Sequence, residues 1–419
     1  MNSKPKTNPP SLRYGAAQAK FPKLVSALLD WFAAHARDLP WRRTRDPYAI
    51  WVSEIMLQQT QVKTVIPFWN RWLRELPTIA AAAKADSAKL HKLWEGLGYY
   101  TRVRNLQKAA QVIVEKHDGK FPEKFEEVLA LPGIGRYTAG AICSIAFNQP
   151  TPILDGNVIR VLTRLFGIGE NPKEKTTNAR LWQLAEELVG RAKNAKAAKE
   201  KSSLPTSRPS RDTDSCSHLN QSLMELGALV CTPRNAQCLI CPVQKLCMAF
   251  AKNRVDELPN LGKRETATAR HFIAFTVECG GKFLVLQRPA GVVNAHLWEF
   301  PNVEITDAPS SRPSPPVGEK MAEDRLSGNA PSANSFDQVK AEFQKLFGVK
   351  PKSVVPLRTV KHSITRYRIT LEAFSVSLAK QPTRTTGRWL EPEEFDSLAF
   401  SSAHKKLASA AAKSILSGR

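Results

Sequence analysis

The sequence predicts a multidomain protein in which an all-α domain is followed by an α+β domain. Three observations carry that expectation. Between residues 20 and 190, apolar residues recur at helical spacing in segments separated by caps and breakers. After about residue 265 the pattern changes to short strand-like runs divided by turn residues. Between the two stretches lies a loop with four cysteines in seventeen residues, Cys231 to Cys247.

Bulk properties narrow the class. A chain of 419 residues, 42% hydrophobic, is long enough for two or three domains with real cores. It holds no run of eighteen apolar residues, so no membrane span is expected. The opening "MNSKPKTNPPSLRYG" lacks an apolar signal core; residues 1–19 read as a flexible tail and the protein as cytosolic. A net charge of +23 and a pI of about 9.8 point to a polyanionic partner, nucleic acid before membrane, because no basic amphipathic helix with an aromatic face is evident. The plainer reading of the same charge is solubility.

The helical domain is placed at residues 20–250. Its segments are "FPKLVSALLDWFAAHA", a long one from Asp46 to Leu76 opened by the Asp46-Pro47 cap pair, "SAKLHKLWEGLG", "TRVRNLQKAAQVIVEKHDG" and "PEKFEEVLAL". Residues 191–215 are poor in apolar residues and rich in Lys, Ser and Pro, and read as a disordered basic insertion. Helix resumes at "HLNQSLMELGALVC". Residues 251–268 form a linker. In the second domain, 269–419, "RHFIAFTVE", Gly280-Gly281 and "KFLVLQR" read as a hairpin, with further strands at "WEFPNVEI", "SVVPLRTV" and "YRITLEAFSVSL". "FDQVKAEFQKLFG" and "SSAHKKLASAAAKSIL" read as helices, and the Pro/Ser-rich residues 306–335 as a mobile loop.

Four features suggest chemistry. In "AIWVSEIMLQQT", apolar residues surround nearly the whole helix, so it is buried, yet Glu54 sits on an apolar face of its own between Ile50 and Leu57. "LPGIGRYTAGAI" sets Gly133 and Gly135 in a tight turn before a helix whose free N-terminal N–H groups suit a phosphate, the pattern of a helix–hairpin–helix that grips DNA without reading sequence. In "PILDGNVIRVL", Asp155 is an isolated acid that also fits as a plain N-cap. Cys231, Cys238, Cys241 and Cys247 are spaced C-x6-C-x2-C-x5-C. Such thiolates in a cytosolic chain indicate a metal centre over disulfides, and the uneven spacing favours an iron–sulfur cluster over the paired knuckles of zinc. Arg234 and Lys245 within the loop can sit on phosphate or simply be solvated. Cys143 reads as core packing.

Together these residues resemble the helix–hairpin–helix DNA glycosylase superfamily, whose fold is a six-helix barrel with an iron–sulfur cluster domain. "LPWRRTRDPYAIWVSEIMLQQTQV" and "GLGYYTRVRNL" look like the adenine DNA glycosylases of the MutY family, and the stretch from "KFLVLQR" to "WEFPNVEI" resembles a Nudix-like domain. The resemblance implies a base-excision repair enzyme that releases adenine opposite 8-oxoguanine or guanine in double-stranded DNA, as a monomer carrying a [4Fe–4S] cluster on the four cysteines. Tyr137 stands where the endonuclease III family has a lysine nucleophile, which implies a monofunctional enzyme. Glu54 is then the acid that protonates adenine N7, Asp155 the carboxylate facing the sugar, and Tyr137 and Asn157 their supports. Gln59 and Tyr99 resemble residues that enter the base stack; as plain structure they are a surface glutamine and a core aromatic. Thr60 and Leu97 are expected against the orphan base. The Nudix-like domain lacks the glutamate-rich magnesium helix, so it is expected to bind and not hydrolyse. Where the family has Phe-Ser-His for lesion contact, this chain has Ile364, Thr365 and Arg366; Thr365 keeps the hydroxyl.

Overall fold

The computed structural model describes residues 20–200, 214–263, 266–305, 336–364, 366–382 and 385–417. Two compact units emerge: residues 1–84 with 104–264, and residues 85–103 with 265–419. The helices, in chain order, are α1 (Phe21–His35), α2 (Pro47–Leu57), α3 (Val62–Glu75), α4 (Ile79–Lys84), α5 (Ser87–Trp94), α6 (Thr101–Lys116), α7 (Phe125–Leu129), α8 (Arg136–Phe147), α9 (Gly156–Phe166), α10 (Lys175–Glu200), α11 (Ser215–Leu229) and α12 (Met248–Ala251). Among the described residues no helix is long and apolar enough to cross a membrane. The tail at 1–19 and the loop at 306–335 lie outside the described residues.

In the first unit α2 is the buried element the periodicity demands. Asp46 caps it by accepting from the Tyr48 N–H, Pro47 fills its first position, and every residue from Tyr48 to Met56 is buried. It packs on α3 and α8, while α11 packs on α1, α8, α9 and α10. One apolar cluster joins Phe21 and Leu28 of α1, Ile145 of α8, Val158 to Leu165 of α9, Leu181 to Ala192 of α10 and Leu219 to Leu226 of α11.

Two sequence expectations need correction here. The stretch Asp46–Leu76 is not one helical segment: it breaks between Leu57 and Val62 because Gln59 adopts a left-handed φ of 57°, which stops an α-helix. The expected disorder of 191–215 does not begin at 191, since α10 runs on to Glu200. Its last turns are rich in Ala and Lys, strong helix formers that need no apolar face to stay helical. Residues 201–213 lie outside the described residues.

The second unit contains α5 and a mixed sheet of β1 (Thr268–Cys279), β2 (Lys282–Gln287), β3 (Trp298–Glu299), β4 (Asn302–Ile305), β5 (Ser353–Ile364), β6 (Tyr367–Ser377) and β7 (Arg388–Leu390), with α13 (Phe336–Phe347) and α14 (Ser402–Ser417). Its order is β3-β2-β1-β6-β5, with β4 also on β1 and β7 on β2; β1 and β6 run parallel and the other pairs antiparallel. Gly280 and Gly281, both at positive φ, close the β1–β2 hairpin in the expected register, Cys279 opposite Lys282. Strand alternation separates two cores. Ile273, Phe275 and Val277 pack with Val339 and Phe343 of α13, whereas Ala274, Phe283 and Val285 pack with Leu407 and Ala411 of α14.

The helical core contains a polar relay that tests its packing. Tyr48 donates to the Leu76 carbonyl (2.9 Å) and accepts from the Trp72 indole N–H (2.9 Å), all buried. Tyr48→Phe leaves that N–H without its acceptor and should cost about 1–3 kcal/mol, read as a lowered midpoint in urea unfolding. An unchanged midpoint contradicts the relay.

Candidate active site

Glu54 lies deep in α2, 5% exposed. Tyr137, in the first turn of α8, donates its hydroxyl to Glu54 Oε2 at 3.0 Å and also contacts Met224 Sδ of α11 at 3.3 Å. Burial pushes the Glu54 carboxyl up to about 7; the Tyr137 bond opposes this, the Asp155 charge adds to it and Arg42 opposes it again. Burial, together with the neighbouring anionic groups Glu54 and Asp155, raises Tyr137 well above the usual phenol range, so its hydroxyl remains a donor.

Asp155 is an N-cap and more than an N-cap. Its Oδ1 accepts from the Val158 N–H at 2.7 Å, which starts α9, and its Oδ2 accepts from Asn157 Nδ2 at 2.9 Å. Burial raises its pKa, and these bonds restrain the rise. Asn157 is in turn fixed by Arg160, whose Nη2 donates to Asn157 Oδ1 (2.8 Å) and to the Gly227 carbonyl (2.7 Å), and whose Nε donates to the Cys231 carbonyl (2.7 Å). Gly227 completes the fit. A Cβ there would stand 2.6 Å from Asn157 Cβ, so only glycine lets α11 approach the Asp155–Asn157 pair.

A second buried acid was not anticipated from the sequence. Glu225 of α11 is held by Arg37 (Nε 2.8 Å, Nη2 2.7 Å, and its backbone N–H at 3.0 Å) and by Arg42 (3.2 and 3.0 Å). Burial would raise Glu225, but the two guanidinium groups overwhelm that and hold it at about 2. Two buried carboxyls thus sit in opposite states, Glu54 poised to carry a proton and Glu225 fixed as an anion. Arg37 and Arg42 also line a cavity of about 480 Å³ with Phe32, Arg45, His218 and Gln221. The available signal was the same one that exposed Glu54, a lone acid in the apolar run "SLMELGALV".

The remaining expected residues divide by exposure. In the first unit, Gln59 is exposed at the α2–α3 break, and Thr60 is half-buried with its hydroxyl on the Gln58 carbonyl (3.3 Å). Gly133 needs its positive φ of 78°, and any Cβ would strike Asn105; Gly135 is extended, with open space where a Cβ would stand, at the start of α8. In the second unit, Tyr99 is 46% exposed at a φ of 49°, which rejects the core-packing reading, whereas Leu97 is 5% exposed and offers almost no side-chain surface for a contact. Arg102 braces this turn by donating to the Leu97 and Gly98 carbonyls (2.9 and 3.0 Å) beneath the Trp94 and Tyr99 rings. Thr365 lies outside the described residues.

Cys231, Cys238, Cys241 and Cys247 line one cavity with Val161, Arg164 and Leu226. Arg164 Nη1 donates to Cys231 Sγ at 3.3 Å, and Arg234 and Lys245 are exposed on the same loop. Among the described residues no three His, Cys, Asp or Glu side chains converge closely enough for a single ion. Four thiols around one cavity are a donor set suited to a thiolate-held metal centre. Cys143 and Cys216 are buried away from this set.

The Glu54 shift has a thermodynamic signature. Its proton is held more tightly in the folded chain (about 7) than at its ordinary value of 4.5, so stability falls as pH rises through that window. Glu54→Gln removes this dependence. Its stability relative to the parent should therefore grow between pH 4.5 and 7 by up to about 3 kcal/mol, measured by urea unfolding at each pH. A difference that stays constant over the window contradicts the shift.

The chain matches the family model described as HhH-GPD superfamily base excision DNA repair protein over residues 52–187 and that of the NUDIX domain over 273–410. It is 36% identical to the adenine DNA glycosylase of Rattus norvegicus, an alignment covering 91% of this chain and 76% of the relative, and 34% identical to that of Homo sapiens, covering 91% and 72%. A solved thermostable thymine-DNA glycosylase is 29% identical with a TM-score of 0.47, covering 57% of this chain and 99% of that one. On the strength of these identities, which extend over 91% of its length, the chain belongs to the adenine DNA glycosylase family.

Proposed function

We propose that the protein is a monofunctional DNA glycosylase that releases adenine from A:8-oxoguanine and A:G mispairs and acts as a monomer. The observation that carries the reading is the buried Glu54 carboxyl under the Tyr137 hydroxyl, within the electrostatic reach of Asp155. Membership of the adenine DNA glycosylase family supports the substrate.

A base inside a duplex is out of reach, so adenine is extruded into the site. Tyr137 donates to Glu54 Oε2, which leaves Oε1 to bear the acidic proton. Glu54 passes that proton to adenine N7 as the bond from the sugar carbon to N9 breaks. Asp155, oriented by Val158 N–H and Asn157, faces the developing positive charge on the sugar, and water then adds at the same carbon. Glu225, ionised and fully occupied by Arg37 and Arg42, fixes these two guanidinium groups in place. Gln59, Thr60 and Tyr99 are assigned to the duplex; burial removes Leu97 from that set.

The hairpin at Gly133 and Gly135 presents the α8 N-terminus to phosphate, and Arg234 adds a cation. Cys231, Cys238, Cys241 and Cys247 would hold a [4Fe–4S] cluster, which when bound cross-links the loop that carries Arg234 and Lys245. The Nudix-like domain is assigned to reading the opposite base. Its α13 carries only Asp337 and Glu342 as acids, too few for the magnesium site of a hydrolase. Beside Thr365, the exposed Arg366 stacks on Tyr367 at 5.3 Å, as does Arg270 at 5.1 Å.

Single-turnover base release on duplexes bearing A opposite 8-oxoguanine, G, C and T tests the reading. Glu54→Gln and Asp155→Asn should each lower the rate at least about a hundredfold while leaving mispair binding measurable; Asn at 155 can still cap α9. In the parent the rate should fall as pH rises through about 7, because the acid must hold its proton. Parent-like rates in either variant contradict the assignment, and equal rates on all four duplexes remove the lesion preference.

The absence of a lysine at 137 gives a separate check. Borohydride should not trap a covalent protein–DNA adduct efficiently, because a phenol cannot form a Schiff base. Strong trapping would instead indicate a lyase of the endonuclease III kind.

A further inference from the structure

The turn that carries Tyr99 belongs by its packing to the second unit, although its sequence lies in the middle of the helical domain. The contacts that hold it there centre on Glu95, the residue immediately before the turn. Glu95 is 8% exposed. Its Oε2 accepts from Lys405 Nζ of α14 at 2.5 Å and from Lys92 Nζ of α5 at 2.9 Å, and its Oε1 accepts from the Phe400 backbone N–H at 3.0 Å. Lys92 also donates to the Leu398 carbonyl at 3.0 Å. Burial would push Glu95 up, but the lysines and the Phe400 N–H hold it below the usual carboxylate range, so it is a fixed anion.

The partner side of this anchor is rigid. Phe400 is 1% exposed, stacks on Phe300, and bridges to Trp298 of β3, with the Trp298 N–H on the Ala399 carbonyl at 2.9 Å. One turn earlier in α5, His91 packs against His296 of the β2–β3 loop, ring centres 6.2 Å apart. On the other side of Glu95 the turn has local braces, Arg102 on the Leu97 and Gly98 carbonyls and the Trp94 indole N–H on the Gly98 carbonyl (3.1 Å), but its glycines give it little rigidity of its own. Gly96, Gly98 and Tyr99 all have positive φ, and for Tyr99 that conformation is strained and must be imposed by its surroundings.

We infer that Glu95 is a positioning residue: it anchors the Gly96–Tyr99 turn to the core of the Nudix-like domain, so that the domain assigned to reading the opposite base also sets the aromatic residue that enters the stack. The inference rests on the proposed role of Tyr99. Its consequence is specific. Releasing the anchor leaves the chemistry of Glu54 and Asp155 untouched but weakens the link between lesion reading and insertion, so discrimination falls more than basal base release.

The test uses the full-length protein as parent, Glu95→Gln, Lys405→Met, their combination, and Lys405→Arg as the charge-retaining control. Hydrogen–deuterium exchange is followed over residues 96–102 without DNA, and the ratio of single-turnover rates on A:8-oxoguanine and A:G duplexes is measured. Glu95→Gln and Lys405→Met should each raise exchange in the turn and lower the rate ratio by about tenfold. The combination should do no more than Glu95→Gln alone, the A:G rate should stay within about twofold of the parent, and Lys405→Arg should behave as the parent. Unchanged exchange in both single variants overturns the inference, since the turn is then held by something else. Raised exchange with an unchanged ratio overturns it too, since the anchor then serves stability alone. A parent that releases no adenine from either duplex refutes the proposed function, while the exchange data still decide whether Glu95 holds the turn.

Discussion

A carboxyl group enclosed by an apolar helix, with one phenolic hydroxyl for company, is the feature on which the rest of the helical unit depends. Ionising Glu54 in that setting is costly, and the cost is what raises its pKa to about 7. The enclosure requires α2 to be buried on every side. That in turn requires α3 and α8 to cover it, while α11 presses on α8 and α9, where Gly227 permits the close approach to Asn157. The contrast with Glu225 shows that burial alone does not decide the outcome. Both acids are out of water, yet two arginines keep Glu225 ionised, whereas Glu54 has a neutral donor and a distant guanidinium.

Helix α9 organises the second half of the site. Asp155 starts it, and Asn157, Arg160 and Arg164 follow at the spacing that puts side chains on one face. Through them, the carboxylate at the helix start is tied to the cysteine loop: Arg160 reaches the Cys231 carbonyl and Arg164 its sulfur. A loop that carries four thiols and two exposed cations is therefore built onto the same helix that Asp155 caps. Shifts in the loop have a short physical route to Asp155 through the hydrogen bonds of Arg160 and Asn157.

Much of this was legible in the sequence because it depends on local pattern. Helical period exposed Glu54, turn chemistry exposed Gly133 and the Gly280–Gly281 hairpin, and residue spacing exposed the four cysteines. Asp155 was legible only as a choice between cap and catalyst; the structure shows the cap, which uses one oxygen and leaves the other with Asn157. What stayed hidden depends on distant pairing. The Arg37–Glu225 and Arg42–Glu225 bonds join residues 188 and 183 positions apart. Nothing local marks Glu95 either, because its partner Lys405 lies 310 residues away in the sequence. The end of α10 was misjudged for another reason: low apolar content was read as disorder where Ala and Lys propensity sustains a helix.

The protonation of one side chain in the resting protein decides whether the site can supply an acid. Selective 13C labelling of glutamate carboxyls, with Glu54 assigned by its loss in Glu54→Gln, allows that group to be titrated directly without DNA. A midpoint near 7 is the predicted result, since burial outweighs the Tyr137 hydrogen bond. A midpoint near 4.5, the ordinary value for a glutamate, would show that the apolar surround does not control the acid and would contradict the central claim.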